Sequence, residues 1–277
     1  DLPKDDHNRA TCESCHGFTP HKEAKINNHT NKVACQTCHI PEFARGGIAT
    51  KTLWDWSTAG KMDANGKPLF IKDDHGHLKY SAAKGDFAYG ENVRPEYKWY
   101  NGVVHQITIT DKIDDTRVLE LNRVEGSASA PRARIWPFKV MHGKQPYDTG
   151  NNTLVVNHVY GDDDTSLWRN YDYSKSIKAG MEYAGLPYSG QFGFIETRMN
   201  WFITHMVAPK EKAVPCQACH TRAADGRLAA ITDIYLPGRD TKGWLDLLGG
   251  LMIAGAIGGG VLHGGIRIAT RRKEKAK

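Results

Sequence analysis

Cys12-Glu13-Ser14-Cys15-His16 recurs as Cys35-Gln36-Thr37-Cys38-His39 and again as Cys216-Gln217-Ala218-Cys219-His220. C-x-x-C-H is the attachment signature of c-type haem. Two thiols three residues apart reach the two vinyl groups of the porphyrin, and the adjacent imidazole becomes the proximal ligand to iron. A single copy would also suit half a zinc site. The three copies use all 6 cysteines of the chain, so no second thiol pair is left to complete a zinc site beside each motif. Disulfides fail on the same ground, because each pair already sits inside one motif. The sequence therefore predicts three covalent haem c groups, with proximal histidines His16, His39 and His220.

The rest of the chain is read around those sites. Its 277 residues allow one large domain or two small ones. A mean hydropathy of −0.54 describes a soluble body. The formal net charge of +6 is unevenly placed. Arg267, Arg271, Arg272, Lys273, Lys275 and Lys277 against Glu274 leave the remaining 266 residues nearly neutral, so nucleic-acid binding has no support. Haem attachment takes place outside the cytoplasm, and an export signal is expected. The sequence starts at Asp1 without one, which implies a cleaved signal or a longer precursor.

Residues 1–45 read as a two-haem unit, since its motifs lie too close together for a domain to separate them. Residues 46–200 read as a haem-free insert of strands and loops packing on the haems. Residues 103–110, 117–124 and 154–159 are its strand candidates. Residues 174–184 and 194–207 carry helical patterns, the second closed by Pro209. The aromatic crowd of Trp54, Trp56, Tyr97, Trp99, Tyr100 and Trp136 reads as core and haem-edge packing. Residues 201–240 hold the third haem site and a linker. The expected fold is a multihaem cytochrome c, mainly α and irregular with a few short strands around a haem-packed core.

Residues 247–266 form a run without formal charge, about 30 Å long as a helix and so the thickness of a hydrocarbon core. A transmembrane helix over 244–268 is expected, with Trp244 at one interface and a basic tail over 269–277. The positive-inside rule puts that tail in the cytoplasm and the haems on the periplasmic side of the cytoplasmic membrane. The glycines of the run suit close contact with another membrane subunit.

Low-spin ligation by two imidazoles makes a haem an electron carrier, whereas an open sixth position makes it a catalyst. With 13 histidines the chain can supply three distal ligands. The candidates are His29, His205, His21, His7, His142 and His158. His263 sits inside the apolar run, where a polar ring is a candidate contact to a quinone or to a partner's haem.

Several runs resemble the octahaem tetrathionate reductase family of multihaem cytochromes. They are VACQTCHIPEFARGG from Val33, WDWSTAGK from Trp54, IWPFK from Ile135, GKQPYD from Gly143 and HMVAPK from His205. The resemblance covers the C-terminal, three-haem part of that family. It implies closely stacked, mostly bis-histidine haems, and it matches His29 and His205 to family histidines. The family's lysine-ligated active-site haem belongs to the N-terminal part, and no C-x-x-C-K motif occurs here. The expected role is thus a membrane-anchored triple-haem carrier working between a membrane redox subunit, quinol or cytochrome, and other multihaem cytochromes. The alternative is the C-terminal part of a reductase of sulfur or nitrogen oxyanions (tetrathionate, nitrite, hydroxylamine) whose catalytic haem lies outside the chain. A structural haem tether is a third reading, weakened by the biosynthetic demand of three covalent haems.

Overall fold

The computed structural model describes residues 11–274, which form two compact units, one ending at Pro215 and one starting at Cys216. The first unit corrects the expectation of a mainly α and irregular fold, because its centre is a mixed sheet of ten strands. Three short helices lead in: α1 (Cys12–His16), α2 (Ala24–His29) and α3 (Cys35–His39). The strands follow as β1 (Thr50–Asp55), β2 (Phe70–Lys72), β3 (Leu78–Ser81), β4 (Gly85–Gly90), β5 (Glu96–Tyr100), β6 (Val104–Gln106), β7 (Leu119–Val124), β8 (Arg134–Asp148) and β9 (Thr153–Leu154). Helices α4 (Leu167–Asn170) and α5 (Tyr173–Tyr183) then precede β10 (Phe192–Phe202).

The sheet runs β2-β3-β4-β1-β8-β10-β7-β6, with β5 and β9 also on β8. The β1–β8 and β7–β10 pairs are parallel and the others antiparallel. At 15 residues β8 is the spine. It pairs β10 without interruption from Phe192↔Asp148 to Phe202↔Phe138, β5 along its first residues and β1 further on. Gly143 is where β8 is squeezed from both sides. A Cβ there would stand 2.6 Å from Thr197 Oγ1 on β10 and 3.5 Å from the Trp54 carbonyl on β1.

One expectation fails here, and one strand lies where none was expected. The helix over 194–207 is instead β10, because eleven consecutive pairings with β8 override the local 3.6-residue pattern. Residues 134–148 gave no strand signal because Pro137 and Pro146 interrupt them, and proline within a run argues against a central strand. The register between β7 and β10 slips at Arg198/Met199, and a buried asparagine pair repairs it. Asn122 Nδ2 donates to the Asn200 carbonyl at 2.7 Å, while Asn200 N donates to Asn122 Oδ1 at 2.6 Å. Helix α5 appears where expected, capped by Asp172, whose side chain accepts from Lys175 N. Of the strand candidates, 117–124 is most fully realised as β7. Residues 103–110 yield only β6, and 154–159 contribute only Leu154, to β9.

Apolar clusters lie around β8. Trp136, Phe138 and Val140 pack with Ala34, while Ile40, Phe43, Ala44 and Ile203 form a separate cluster. Leu167, Tyr173, Ile177 and Met181 join α4 to α5. The second unit holds α6 (Cys216–Cys219) and α7 (Gly243–Glu274). Residues 243–271 of α7 contain an 18-residue window of mean hydropathy 1.8 and are long and apolar enough to cross a membrane by length and composition.

Candidate functional site

The first two C-x-x-C-H motifs form one site, joined through consecutive residues of β8. The first is α1, whose opening turn is capped by Thr11 Oγ1 accepting from Ser14 N at 3.2 Å. The chain leaves α1 through Gly17 at φ 73, a left-handed conformation that glycine adopts without penalty. Glu13, between the first motif's cysteines, makes a buried ion pair with Arg134, Oε1 to NH1 at 2.9 Å. The second motif, α3, is tied to the next residue. Thr37 Oγ1 donates to the Ile135 carbonyl at 2.7 Å, Ala34 N donates to the same carbonyl at 3.0 Å, and Ile135 N donates to the Lys32 carbonyl at 2.8 Å.

The two motifs touch as a result. The thiols of Cys12 and Cys35 are neighbours, and the interaction between them lowers the Cys12 pKa and, as the largest of its causes, raises that of Cys35. Cys12 and Cys35 are the residues that would each hold a haem by a thioether, and their closeness would bring the two attachment points together.

His39 and His21 face one another, with ring centroids 6.0 Å apart and planes 17° from parallel. Two imidazoles on one iron, each bonded at about 2 Å, have centroids about 6 Å apart, so the pair fits the two axial positions of the haem on α3. Burial, then the neighbouring His21 and His16, holds the His39 pKa below the ordinary imidazole value and favours the neutral ring that ligates metal. His21 is oriented by Asn27, whose Oδ1 lies 3.1 Å from Nδ1 and also accepts from the His21 backbone at 3.0 Å.

His29 ends α2 with Nδ1 at 2.8 Å from the Lys25 carbonyl, so only Nε2 could bind iron. His205 follows β10 in an irregular segment rather than on the expected helix. That segment is stitched to the second motif by Ala208 N donating to the His39 carbonyl at 2.8 Å and by Arg45 donating to the Met206 carbonyl. His142 lies mid-strand in β8, opposite Leu53 and Arg198. His158 has Nε2 3.0 Å from Asp163 Oδ2. His7 lies outside the described residues.

The third motif belongs to the second unit. His220 caps α6 through its backbone N–H to the Cys216 carbonyl, and its Nδ1 sits 2.7 Å from the Pro237 carbonyl. That contact leaves Nε2 for iron, the arrangement that fixes the tautomer of a metal-bound histidine. Gly238 at φ 85 lets the chain pass the motif, since a Cβ there would come 3.0 Å from the His220 carbonyl. Below it, Arg239 donates to the Leu228 and Ile234 carbonyls at 2.8 Å and to Asp240 Oδ1 at 2.7 Å. His263 is exposed on α7.

The donor set fits c-type haem. None of the six cysteines is in a disulfide. Apolar side chains that a porphyrin face would cover, including Phe18, Ile26 and Val207, stand exposed near the motifs in sequence. The sequence had no means of finding Arg134 or Ile135 as site residues, because each lies some hundred positions from the motif it holds.

A family model described as bacterial cytochrome c matches residues 51–223. Among solved structures, an octaheme cytochrome c from Shewanella oneidensis matches at 39% sequence identity with a TM-score of 0.72. The match covers 79% of this chain and 50% of that one, so the chain spans half the length of the cytochrome it resembles. No curated protein matches.

Proposed function

The chain belongs to the bacterial cytochrome c family, and from that premise we propose that it is a membrane-anchored triple-haem electron carrier. The family and the octaheme neighbour make covalent c-type haem and a redox role the common ground. The count of three rests on the three C-x-x-C-H motifs. The observation that carries the reading is that Arg134 and Ile135, consecutive residues of β8, hold the first two motifs through the Glu13 ion pair and the Thr37 hydrogen bond, which would set two haem attachment points side by side. His21 and His39, whose ring centroids lie 6.0 Å apart, would hold one iron from both sides and leave it a carrier with no open position. His29 and His205 are assigned as distal ligands to neighbouring haems, with His142 and His158 in reserve.

Helix α7 anchors the protein on the periplasmic side of the membrane with its basic end in the cytoplasm, as the positive-inside rule requires. Its partners are a membrane redox subunit or quinol on one side and other multihaem cytochromes on the other. His263 is the residue proposed for contact in the membrane.

A second reading is favoured by one fact: the chain spans half of an octaheme cytochrome. In that reading it is the electron-delivering part of a multihaem reductase of tetrathionate, nitrite or hydroxylamine, and the catalytic haem lies outside these residues.

Intact mass of the detergent-extracted protein, followed by carbon monoxide addition after reduction, tests the proposal. Three haems and no spectral shift are expected. A shift would identify an open iron in this chain and overturn the pure-carrier reading.

A further inference from the structure

In the second unit the setting of His220 depends on a carbonyl well outside its motif, since its Nδ1 sits 2.7 Å from the Pro237 carbonyl. Pro237 and Gly238 are the central residues of a turn closed by Arg239 N donating to the Leu236 carbonyl at 3.1 Å. Proline second and glycine third, the latter at φ 85, are the residues a type II turn favours. Asp240 N donates to the same carbonyl at 2.9 Å, and Leu236 N donates to Asp240 Oδ2 at 2.7 Å, so the turn is tied at both ends.

One guanidinium locks that turn to the chain before it. Arg239 Nε and NH2 donate to Asp240 Oδ1 and Oδ2, both at 2.7 Å, as a two-pronged pair. NH2 also reaches the Ile234 carbonyl at 2.8 Å, and NH1 donates to the carbonyls of Leu228, at 2.8 Å, and Ile231. All five N–H donors of the side chain therefore have acceptors, and the side chain is only 14% exposed. The hydrogen bond from Arg239, more than any other cause, lowers the Asp240 pKa to about 2, so the carboxylate stays ionised at neutral pH. Arg227 N, donating to the Ala218 carbonyl at 2.8 Å, fixes the start of this segment on α6 inside the motif itself. The motif, the segment over 227–234 and the Pro237 carbonyl are thus closed into one ring of hydrogen bonds through Arg239.

We propose that Arg239 and Asp240 are positioning residues that set the reduction potential of the haem on the third motif, by pinning the acceptor of the His220 Nδ1–H bond. The inference rests on haem attachment at Cys216 and Cys219, which the intact mass of the parent reports separately. A firmly placed acceptor raises the basicity of the imidazole and favours ferric iron. Loosening it raises the potential of that haem alone.

Potentiometric titration of the detergent-extracted full-length holoprotein, followed by EPR, compares the parent with Arg239→Lys and with the double variant Arg239→Gln, Asp240→Asn. Both changes leave the net charge of the pair as it was, so a direct charge effect predicts no shift. Lysine keeps the charge but loses the planar fork. One midpoint is expected to rise in both variants, changing the ferrous-to-ferric ratio about tenfold at the parent's midpoint in the double variant and less in the lysine one. The other midpoints hold, and the iron stays low-spin. An unmoved or lowered midpoint in the double variant overturns the proposal. Where the double variant loses its third haem, Arg239→Lys decides, and an unmoved midpoint there, or loss of the haem from it as well, overturns the proposal equally.

Discussion

Arg134 and Glu13 form a buried ion pair, NH1 to Oε1 at 2.9 Å, and through it the first strand residue of β8 grips the first C-x-x-C-H motif. The next residue, Ile135, takes the Thr37 hydroxyl of the second motif. Spacing between two haem attachment points is thereby set by one peptide step of a central strand. A rigid strand holds a short electron-transfer distance better than a loop would.

Breaking that pair should be costly. Both side chains are over nine-tenths buried, and Glu13 Oε2 already lacks a hydrogen-bond partner. Glu13→Gln leaves Arg134 as an uncompensated buried charge, at a cost of about 3–5 kcal/mol. Denaturant unfolding should show it. The double change Glu13→Leu with Arg134→Met removes both charges and should recover much of the loss.

Thr37→Val keeps the shape of the second motif and deletes its hydroxyl donor. The Ile135 carbonyl still accepts from Ala34 N, so the loss should be near the lower end of about 1–3 kcal/mol. The haem spectrum should be retained, and a loss of haem would contradict a purely structural tie.

Replacing an axial ligand should change spin state before stability. His21→Ala opens one face of the haem on α3, so the reduced variant should bind carbon monoxide where the parent does not. Replacing surface-paired His105, which lies 2.5 Å from Glu125, should leave the spectrum unchanged.

Asp148 supplies an acid-sensitive joint at the end of β8. It is fully buried. Burial alone would raise its pKa, but hydrogen bonds from Ser189 and Asn151 outweigh that and lower it. A carboxylate with a depressed folded value stabilises the protein above its unfolded pKa of about 3.9 and loses that contribution as pH falls through the folded value. Stability of the parent should therefore drop below about pH 4 more steeply than that of Asp148→Asn, which should be weaker at neutral pH. Parallel acid limbs for the two proteins would contradict this role.

What the sequence shows directly is local chemistry. Each C-x-x-C-H motif is complete within five residues, α5 carries its own cap at Asp172, and the charge-free run of α7 needs no partner to be seen. The sheet was hidden because its decisive strand contains Pro137, Pro146 and Gly143, and because β10 has a helical pattern that only its pairing to β8 overrides. The site was legible in its cysteines and proximal histidines. The holding residues were not, since Glu13 and Arg134 are 121 positions apart and neither lies in a pattern that names the other.

The central claim is that β8 holds the haems of the first two motifs as one coupled, six-coordinate pair. The most direct test is the EPR spectrum of the fully oxidised protein, taken beside that of Glu13→Gln. Broadened low-spin signals from two magnetically coupled haems, sharpening in the variant, are the predicted result. Independent, uncoupled signals in the parent, or a high-spin iron in the pair, would contradict the account.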